Sequence, residues 1–397
     1  MFDEISNVQS RGLCATVQNM KAIVLTPGTT HVQLIDAPEP KIVSSTEVRA
    51  RTLMVGICGT DREEAAGGRA DAPIGEKQLI IGHEVLAEVI EVGADVKTLK
   101  PKDLIVIMVR RGCGNCEPCK KGYPDMCRTG NYTERGIKQR HGFQCEIIVD
   151  EEEFCILVPP HLRSIGVLTE PTTVIEKALD HACRLQVARL PTSTKAEKWL
   201  DKKTVLIAGL GPIGLLAAMV LRLRGAHVLG LDIVEPHSSR PKLFEALGGK
   251  YFMSKEGVWK QIEETYGPIH MMIEAAGVPK LNFDLIEKLG TDGVYAMTGV
   301  PGGDHPLNVD GAAIFRQIVL KNQLIFGSVN ASKRHFQQAV LDLEEAQKKW
   351  PGVIEQFITA KVPFAQFQTV LSKKPIDEIK AVITWHLYTE NDSRIGF

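Results

Sequence analysis

The sequence predicts an α/β protein with two domains, one built on a doubly wound parallel sheet and one that is mostly antiparallel β. Two observations support this prediction. The 397 residues exceed what one ordinary hydrophobic core organises, so two domains of roughly 150 to 200 residues each are expected. The hydrophobic pattern also changes along the chain, from short β-branched runs to alternating strands and helices.

The antiparallel domain is indicated by apolar runs divided by Gly and Pro between Met20 and about Pro160. They read KAIVL, VQLIDAP, EVRARTLMVG, VLAEVIEVG, DLIVIMVRR, QCEIIVD and FCILVPP. Short runs bounded by turn residues are typical of strands in a bent antiparallel sheet. We therefore assign residues 20–187 to this domain and treat residues 1–19 as an N-terminal extension.

The parallel sheet is predicted from KTVLIAGLGPIGLLAAMVLRLRGAHVLGLDI, which fits a strand, a glycine turn, a helix and a second strand. Four later runs, KYFMS, HMMIEAAG, DGVYAMTG and QLIFGSV, bring the predicted strands to six. Six strands separated by helical segments complete a Rossmann sheet, so residues 188–330 form the second predicted domain. Residues 331–397 predict one helix and one strand, AVITWHLY, and we expect them to pack back on the first domain.

Composition narrows the class of partner. The formal net charge is -1 with 24% charged residues, so no basic stripe indicates nucleic acid and a small neutral substrate fits better. No apolar run approaches the roughly 20 residues of a membrane span, and residues 1–19 lack the apolar core of a signal peptide. We expect a cytoplasmic protein without membrane contacts, in which structural disulfides are rare and nine cysteines cannot all pair.

A glycine turn after the strand Thr204 to Ala208 indicates a dinucleotide site. In this G-x-G-x-x-G pattern the first glycine permits the turn, the second admits a pyrophosphate, and the third lets helix pack on strand. The helix that follows offers unpaired N–H groups to phosphate. The residues of the turn are Gly209, Leu210, Gly211, Pro212, Ile213 and Gly214.

The choice between NAD and NADP depends on Asp232, which ends the second strand eighteen residues after Gly214. A carboxylate there holds a ribose 2′-hydroxyl and repels a 2′-phosphate, so NAD is expected to be preferred. Arg240, in the following loop, could reach a phosphate, and NADP therefore stays possible. Taken alone, Arg240 is better explained as a solvated loop residue than as a phosphate ligand.

Four cysteines within fifteen positions form what we call the cysteine lobe, residues 110–130. The spacing C-x2-C-x2-C-x7-C is compatible with a disulfide staple, a redox pair, an iron–sulfur site or a zinc knuckle. Four thiolates would close a tetrahedral zinc site with no open position, which suits a structural role. The four residues are Cys113, Cys116, Cys119 and Cys127.

A second set of potential metal ligands lies in GICGTD and GHE. Cys58, His83 and Glu84 supply a thiolate, an imidazole and a carboxylate, all acceptable to zinc. Singly, each has an ordinary explanation as a buried thiol, a core histidine or a surface glutamate. Their coincidence with a nucleotide domain favours a metal site.

From Met20 onward the chain resembles the zinc-dependent medium-chain dehydrogenases, through GICGTD, GHE followed by EVGADV, the cysteine lobe and GLGPIG. The resemblance implies a GroES-like catalytic domain, a structural zinc on the four lobe cysteines and a catalytic zinc on Cys58 and His83. Where many members use a further cysteine ligand, this chain has Glu170. If Glu84 also binds, Cys58, Glu84 and Glu170 bring three negative charges, and we expect a less electrophilic zinc with ligand exchange.

Four segments resemble the glucose (aldose) 1-dehydrogenase branch: MVRRGCGNC, NYTERGIKQRHGF, LTEPTTVIEKAL and FGSVNAS. By position, the resemblance implies that Glu134 and Asn330 contact sugar hydroxyls. Val109 stands where some relatives place a sugar-binding asparagine, which this chain lacks. The implied reaction oxidises an aldose at C1 to a lactone with hydride transfer to NAD(P)+, and D-glucose is the expected main substrate.

The remaining roles follow from this resemblance. Thr60 is expected to relay the substrate proton, because a hydroxyl donates and accepts at once, and it belongs to the substrate-binding set with Glu170. Asp61 either orients a metal ligand or caps a turn. Val300 and Val329 complete the expected cofactor-binding residues.

Two alternatives remain at this stage. A sorbitol- or threonine-type dehydrogenase shares the zinc ligands but oxidises a secondary alcohol, and a catalytically silent nucleotide-binding protein shares only the fold. The resemblance also implies a homo-oligomer, a dimer or homotetramer, commonly formed by pairing the edges of nucleotide-binding sheets near QLIFGSV.

Overall fold

The fold is known from a computed structural model that describes residues 18–301, 306–372 and 374–386. Residues 1–17 of the predicted extension and the end of the predicted last strand, from residue 387, lie outside this description. The predicted fold class is confirmed: a Rossmann sheet follows a mostly antiparallel β domain. No helix in the described ranges has both the length and the apolar character to cross a bilayer.

The elements of the first domain are mostly short strands. They are β1 (Asn19–Leu25), β2 (Val32–Pro38), β3 (Glu47–Ile57), α1 (Gly59–Ala65), β4 (Leu79–Ile80), β5 (Glu84–Val92), β6 (Leu104–Ile107), β7 (Arg110–Arg111), α2 (Glu117–Lys120), β8 (Thr133–Arg135), β9 (Gln139–Arg140), β10 (Ile147–Glu151), β11 (Cys155–Val158) and α3 (Thr169–Arg189).

The nucleotide-binding part alternates strands and helices. It consists of β12 (Thr204–Ala208), α4 (Pro212–Leu223), β13 (His227–Asp232), α5 (Ser239–Ala246), β14 (Lys250–Met253), α6 (Val258–Tyr266), β15 (Ile269–Glu274), α7 (Pro279–Lys288), β16 (Leu289–Met297), α8 (Gly311–Leu320) and β17 (Leu324–Gly327). The tail adds α9 (Lys333–Lys349), β18 (Ile358–Pro363), α10 (Gln368–Leu371) and β19 (Lys380–Thr384).

The six strands predicted for the parallel sheet are all present, in the order β14-β13-β12-β15-β16-β17. All neighbours pair in parallel, and the order reverses between β12 and β15. Ligands of such sheets bind outside the carboxyl ends of the strands at this reversal. The glycine turn after β12 therefore stands at the expected place for a dinucleotide.

The largest sheet of the first domain has the order β11-β6-β5-β3-β19-β18, with β10 also paired to β3. Its last two strands come from the C-terminal tail, and β19 pairs antiparallel with β3. The chain thus returns to the domain where it began. This return places the end of the tail beside the residues that follow β3.

Two sequence predictions need correction. The run DLIVIMVRR was expected to be one strand, but it divides into β6 and β7, because Arg110 and Arg111 turn away to pair with β8 in a separate small sheet. The tail was expected to hold one strand and has two among its described residues. The missed strand, β18, carries both Lys361 and Pro363, which weaken a strand signal in sequence.

A buried charge triad connects three helices behind the parallel sheet. Arg224, which follows α4, lies 2.7 Å from Glu176 of α3 and 2.8 Å from Asp342 of α9. Burial and the neighbouring Asp342 raise the pKa of Glu176 well above its ordinary value. The guanidinium is therefore the group that allows two carboxyls to share one buried site.

Replacing Arg224 with methionine should destabilise the fold by about 3 kcal/mol at pH 7, because two buried carboxyls lose their counter-ion. Burial already raises the folded-state pKa of Glu176 above its ordinary value in the unmodified protein, and loss of the Arg224 charge, which opposes this rise, should raise it further. Its contribution to stability is therefore present below the unfolded pKa and is lost as pH rises through the folded pKa. Urea unfolding at pH 5 and pH 8 should thus show a smaller loss at pH 5.

The matched control is Arg184→Met, which breaks an ion pair with Asp180 one helical turn away that is largely exposed on the arginine side. It should cost less than about 0.5 kcal/mol at either pH. Equal losses in the two variants would contradict a structural role for the triad.

Candidate functional site

The glycine turn has the close packing that its sequence predicts. Gly209 has φ +92°, and a side-chain carbon there would lie 2.9 Å from Ala276. A carbon on Gly214 would lie 1.9 Å from the carbonyl oxygen of Gly209. By contrast, a carbon on Gly211 would meet nothing within 4 Å. Open space thus adjoins the N-terminus of α4, where a pyrophosphate fits.

Asp232 ends β13 with its carboxylate held by backbone N–H groups. Leu210 donates to Oδ2 at 2.6 Å, and Ile233 donates to Oδ1 at 2.7 Å. Arg240 lies 3.9 Å from Asp232 Oδ2, and its guanidinium also donates to backbone carbonyls of the C-terminal tail. Arg240, in the first turn of α5 and not in a loop as expected, is therefore anchored beside the Asp232 carboxylate. Val300 and Val329 are both more exposed than buried.

The cysteine lobe brings its four sulfurs together. The Sγ atoms of Cys113, Cys116, Cys119 and Cys127 lie within 4.8 Å of one another, and all four residues are reduced. Hydrogen bonds, first from Thr129 and then from backbone N–H groups, lower the pKa of Cys113 to about 5. A thiolate set of this geometry fits one tetrahedral zinc ion.

The second group of potential ligands lies between β3 and β5. Cys58, His83 and Glu84 have ligand atoms within 4.8 Å of one another, and Cys58 Sγ is 3.1 Å from His83 Nε2. Asp61 Oδ1 lies 3.5 Å from His83 Nδ1, and Asp61 Oδ2 accepts the N–H of Cys58 at 2.7 Å. Asp61 caps α1, which is one of the two roles considered for it, and its carboxylate also faces the histidine.

Asp61 and His83 influence each other electrostatically. Burial alone would raise the pKa of Asp61, but the charge and hydrogen bond of His83 lower it below its ordinary value. Burial would likewise lower the pKa of His83, and the charges of Cys58 and Asp61 raise it well above its ordinary value. Both shifts have the directions expected where acidic groups surround a buried histidine, and such a setting also suits a cation.

Glu84 is paired with a lysine from the tail. Lys380 Nζ lies 2.7 Å from both carboxylate oxygens of Glu84 and donates to the carbonyl of Ile57 at 3.3 Å. Both side chains are 2% exposed. Glu84 can bind a metal through a lone pair that the lysine does not use, or after release of the lysine. Its charge is already balanced in the structure.

Glu170 and Thr60 lie at the same site from two sides. Glu170, in the first turn of α3, is outside the 4.8 Å group. Burial raises the pKa of Glu170 to about 7, with the charge of His83 opposing the rise and that of Glu84 adding to it. Thr60 is half-buried, and its N–H donates to Cys58 Sγ at 3.1 Å. The structure thus places the predicted catalytic residues near one another.

The two predicted sugar contacts meet each other directly. Asn330 Nδ2 donates to Glu134 Oε1 at 2.6 Å, although 196 positions separate them in sequence. Arg110 donates to the same oxygen from Nε at 3.1 Å and from a terminal nitrogen at 3.0 Å. Glu134 Oε2 takes part in none of these three bonds. Val109 is 2% exposed and packs in the core.

Sequence reasoning missed three charged residues of this region: Lys380, Lys177 and Asp125. Lys380 was detectable in principle, since it begins an apolar strand, IKAVIT, where a lysine is rarely buried without a partner. No sequence signal links Lys177 with Asp125, because their ion pair depends on packing of the cysteine lobe against α3.

Comparison with known proteins covers almost the whole described chain. Residues 44–160 match the alcohol dehydrogenase GroES-like domain, and residues 163–385 match the glucose dehydrogenase C-terminus. The chain is 36% identical to glucose 1-dehydrogenase of Methanocella arvoryzae, covering 86% of this chain and 93% of that protein. It is 37% identical to glucose 1-dehydrogenase of Thermoproteus tenax, covering 92% and 99%.

Among solved structures, the chain is similar to Haloferax mediterranei glucose dehydrogenase in complex with NADP, zinc and gluconolactone. The TM-score is 0.81 at 30% identity, covering 93% of this chain and all of that one. Similarity of this extent over both domains, with both family matches, shows the family. The chain belongs to the zinc-dependent medium-chain dehydrogenases, in the glucose 1-dehydrogenase branch.

Proposed function

We propose that this protein oxidises an aldose at C1 to the aldonolactone and transfers the hydride to NAD(P)+. D-Glucose is the substrate that we expect it to prefer. The observation that carries the proposal is the bond between Glu134 and Asn330, which sets a carboxylate and an amide side by side. Groups of this kind bind sugar hydroxyls and reject analogues that lack them. The relatives named glucose 1-dehydrogenase support the same reaction.

Cys58 and His83, with a carboxylate from Glu84 or Glu170, would hold the catalytic zinc. Bound there, zinc supplies a Lewis acid that stabilises the alkoxide developing at C1. Asp61 fixes the orientation of Cys58 and His83 through the contacts described above. The protein thus presents its ligands in a preorganised arrangement.

Thr60 is the residue that we assign to proton transfer. It lies two positions after Cys58, at the start of α1, and is half-buried. A hydroxyl in this place can accept the C1 hydroxyl proton while it donates its own toward the cofactor ribose and solvent. The nicotinamide supplies the redox chemistry, and the glycine turn before α4 positions it.

For the cofactor, we propose that NAD is preferred and NADP is accepted. The carboxylate of Asp232 supports recognition of a ribose 2′-hydroxyl. Arg240 lies 3.9 Å away and is held by two tail carbonyls, so that a guanidinium is available for a 2′-phosphate. One site thus contains the determinants for both cofactors.

We also propose that two copies of the chain pair through the β17 edge of the parallel sheet. Among the described residues, strand β17 pairs with β16 alone, and α8, which precedes β17 in the chain, carries exposed apolar residues. Phe315, Val319 and Leu320 are each more than 70% exposed. An apolar surface next to an unpaired strand edge is the usual mark of a protein interface.

The substrate assignment predicts that the purified protein reduces NAD+ or NADP+ with D-glucose and that a chelator of zinc abolishes the activity. A panel with glucose, galactose, xylose, sorbitol and threonine, followed by absorbance of the reduced cofactor, measures this. Turnover of sorbitol or threonine without any aldose would overturn the proposal.

For the cofactor site, Arg240→Met should lower kcat/KM about tenfold for NADP+ and less than twofold for NAD+, because only NADP+ carries the 2′-phosphate. Asp232→Ser should reverse the preference by weakening NAD+. Steady-state kinetics with saturating glucose measure both. Equal losses with the two cofactors after Arg240→Met would assign Arg240 to anchoring of the tail alone.

For the interface, Phe315→Asp should shift the protein to a smaller assembly, because it places a charge in the apolar surface. Light scattering after size-exclusion chromatography gives the mass. Val43→Asp, which changes an exposed apolar residue of the other domain, is the control and should leave the mass unchanged. A Phe315→Asp protein with the mass of the unmodified protein would exclude this surface.

A further inference from the structure

The cysteine lobe is joined to the proposed sugar contacts by one residue, Asp125. It lies between the third and fourth lobe cysteines, in a single turn of 3-10 helix over Pro124–Met126. Although most of its neighbours in the lobe are partly or fully exposed, Asp125 is 5% exposed. A carboxylate at this depth needs a partner, and Lys177 supplies it, while Arg110 binds the backbone carbonyl of the same residue.

The first connection runs through Arg110. One terminal nitrogen of Arg110 donates to the backbone carbonyl of Asp125 at 3.1 Å, while the rest of the guanidinium holds Glu134 Oε1. The guanidinium also lies 3.9 Å above the ring of Tyr132. These contacts hold Arg110 in one orientation. The position of Glu134 therefore depends on the cysteine lobe through Arg110.

The second connection runs through Lys177 of α3. Its ammonium lies 2.7 Å from Asp125 Oδ2 and donates to the carbonyl of Val329 at 2.8 Å. Burial lowers the pKa of Lys177, and the charge of Asp125 opposes this. Val329 directly precedes Asn330, whose backbone has φ +62°, so the lysine fixes the turn that presents the amide.

The two connections meet again where Asn330 donates to Glu134. The contacts thus form a closed ring that starts and ends on Asp125, with its carbonyl on one arm and its carboxylate on the other. Its four charged members, Asp125, Arg110, Glu134 and Lys177, are buried, so loss of any one of them leaves a buried partner unsatisfied.

We propose that Asp125 is a positioning residue for sugar recognition, through which the cysteine lobe fixes the distance and orientation of Glu134 and Asn330. The inference rests on the proposed function, since it takes these two residues as the sugar contacts. It gives the lobe a task in substrate selection in addition to stabilising the domain.

The test uses Asp125→Asn, which keeps the volume and the backbone carbonyl but removes the charge that holds Lys177. We expect KM for glucose to rise about tenfold, discrimination among epimers at C2, C3 and C4 to narrow, and KM for the cofactor to stay within twofold. Zinc content should remain two per chain. A purely structural role would instead lower stability or zinc content without a selective change in the KM for sugar.

A double-mutant cycle with Asn330→Ala shows whether Asp125 acts on sugar binding through Asn330. If Asp125 acts through Asn330, then Asp125→Asn should add little to the KM of the Asn330→Ala protein. Fully additive effects would overturn the inference. Should Asp125→Asn fail to fold, Lys177→Met removes the same connection from the other side and is measured in the same way.

Two controls separate this inference from the proposed function. Glu117→Gln removes an exposed lobe carboxylate that pairs with Lys121 and Arg128, and it should leave the KM for sugar unchanged. Glu134→Gln and Asn330→Ala test the sugar contacts themselves. If neither of these two variants changes the KM for glucose, the assigned sugar contacts and the inference are both wrong. If both raise it and Asp125→Asn does not, only the inference is wrong.

Discussion

The candidate metal site depends on the antiparallel pairing of β19 with β3. This pairing sets Ala381 opposite Ile57 and brings Lys380 to the carbonyl of Ile57, directly before Cys58. On the other side of β3, Gly56 pairs with Glu84 of β5. A side-chain carbon on Gly56 would lie 2.0 Å from Glu84 Oε2, so the glycine makes room for the carboxylate that the lysine binds. Three strands thus place a thiolate, a carboxylate and an ammonium in one small volume.

The net charge at this site differs from the sum of the charges on the predicted metal ligands alone. Cys58, Glu84 and Glu170 would bring three negative charges to a divalent cation, but Lys380 neutralises one of them. With zinc bound, such a shell would be close to neutral overall, and Glu84 would be held by Lys380 as well as by the cation. It would favour movement of Glu84 during turnover, because Lys380 offers this carboxylate an alternative partner.

Local signals account for what the sequence could predict. The glycine turn, the six strands of the parallel sheet and the four lobe cysteines each depend on neighbours within a few dozen positions, and pattern and spacing therefore disclose them. Family resemblance added Glu134 and Asn330. The ion pair of Lys177 with Asp125 and that of Lys380 with Glu84 join distant segments, and their partners follow only from how the domains pack. Strand β18 was not predicted from the sequence for a related reason, since it forms by pairing with β19 and its own composition does not favour a strand.

The contrast between the two groups of metal ligands has a consequence for biosynthesis. The lobe cysteines can meet as soon as fifteen consecutive residues have left the ribosome. The ammonium that balances Glu84 lies 296 positions further along the chain, in β19, one of the last strands to be made. Domains fold from the N-terminus as they emerge from the ribosome. Glu84 therefore lacks its counter-ion until synthesis is nearly complete. A chain truncated before Lys380 would therefore carry an assembled lobe but no finished catalytic site.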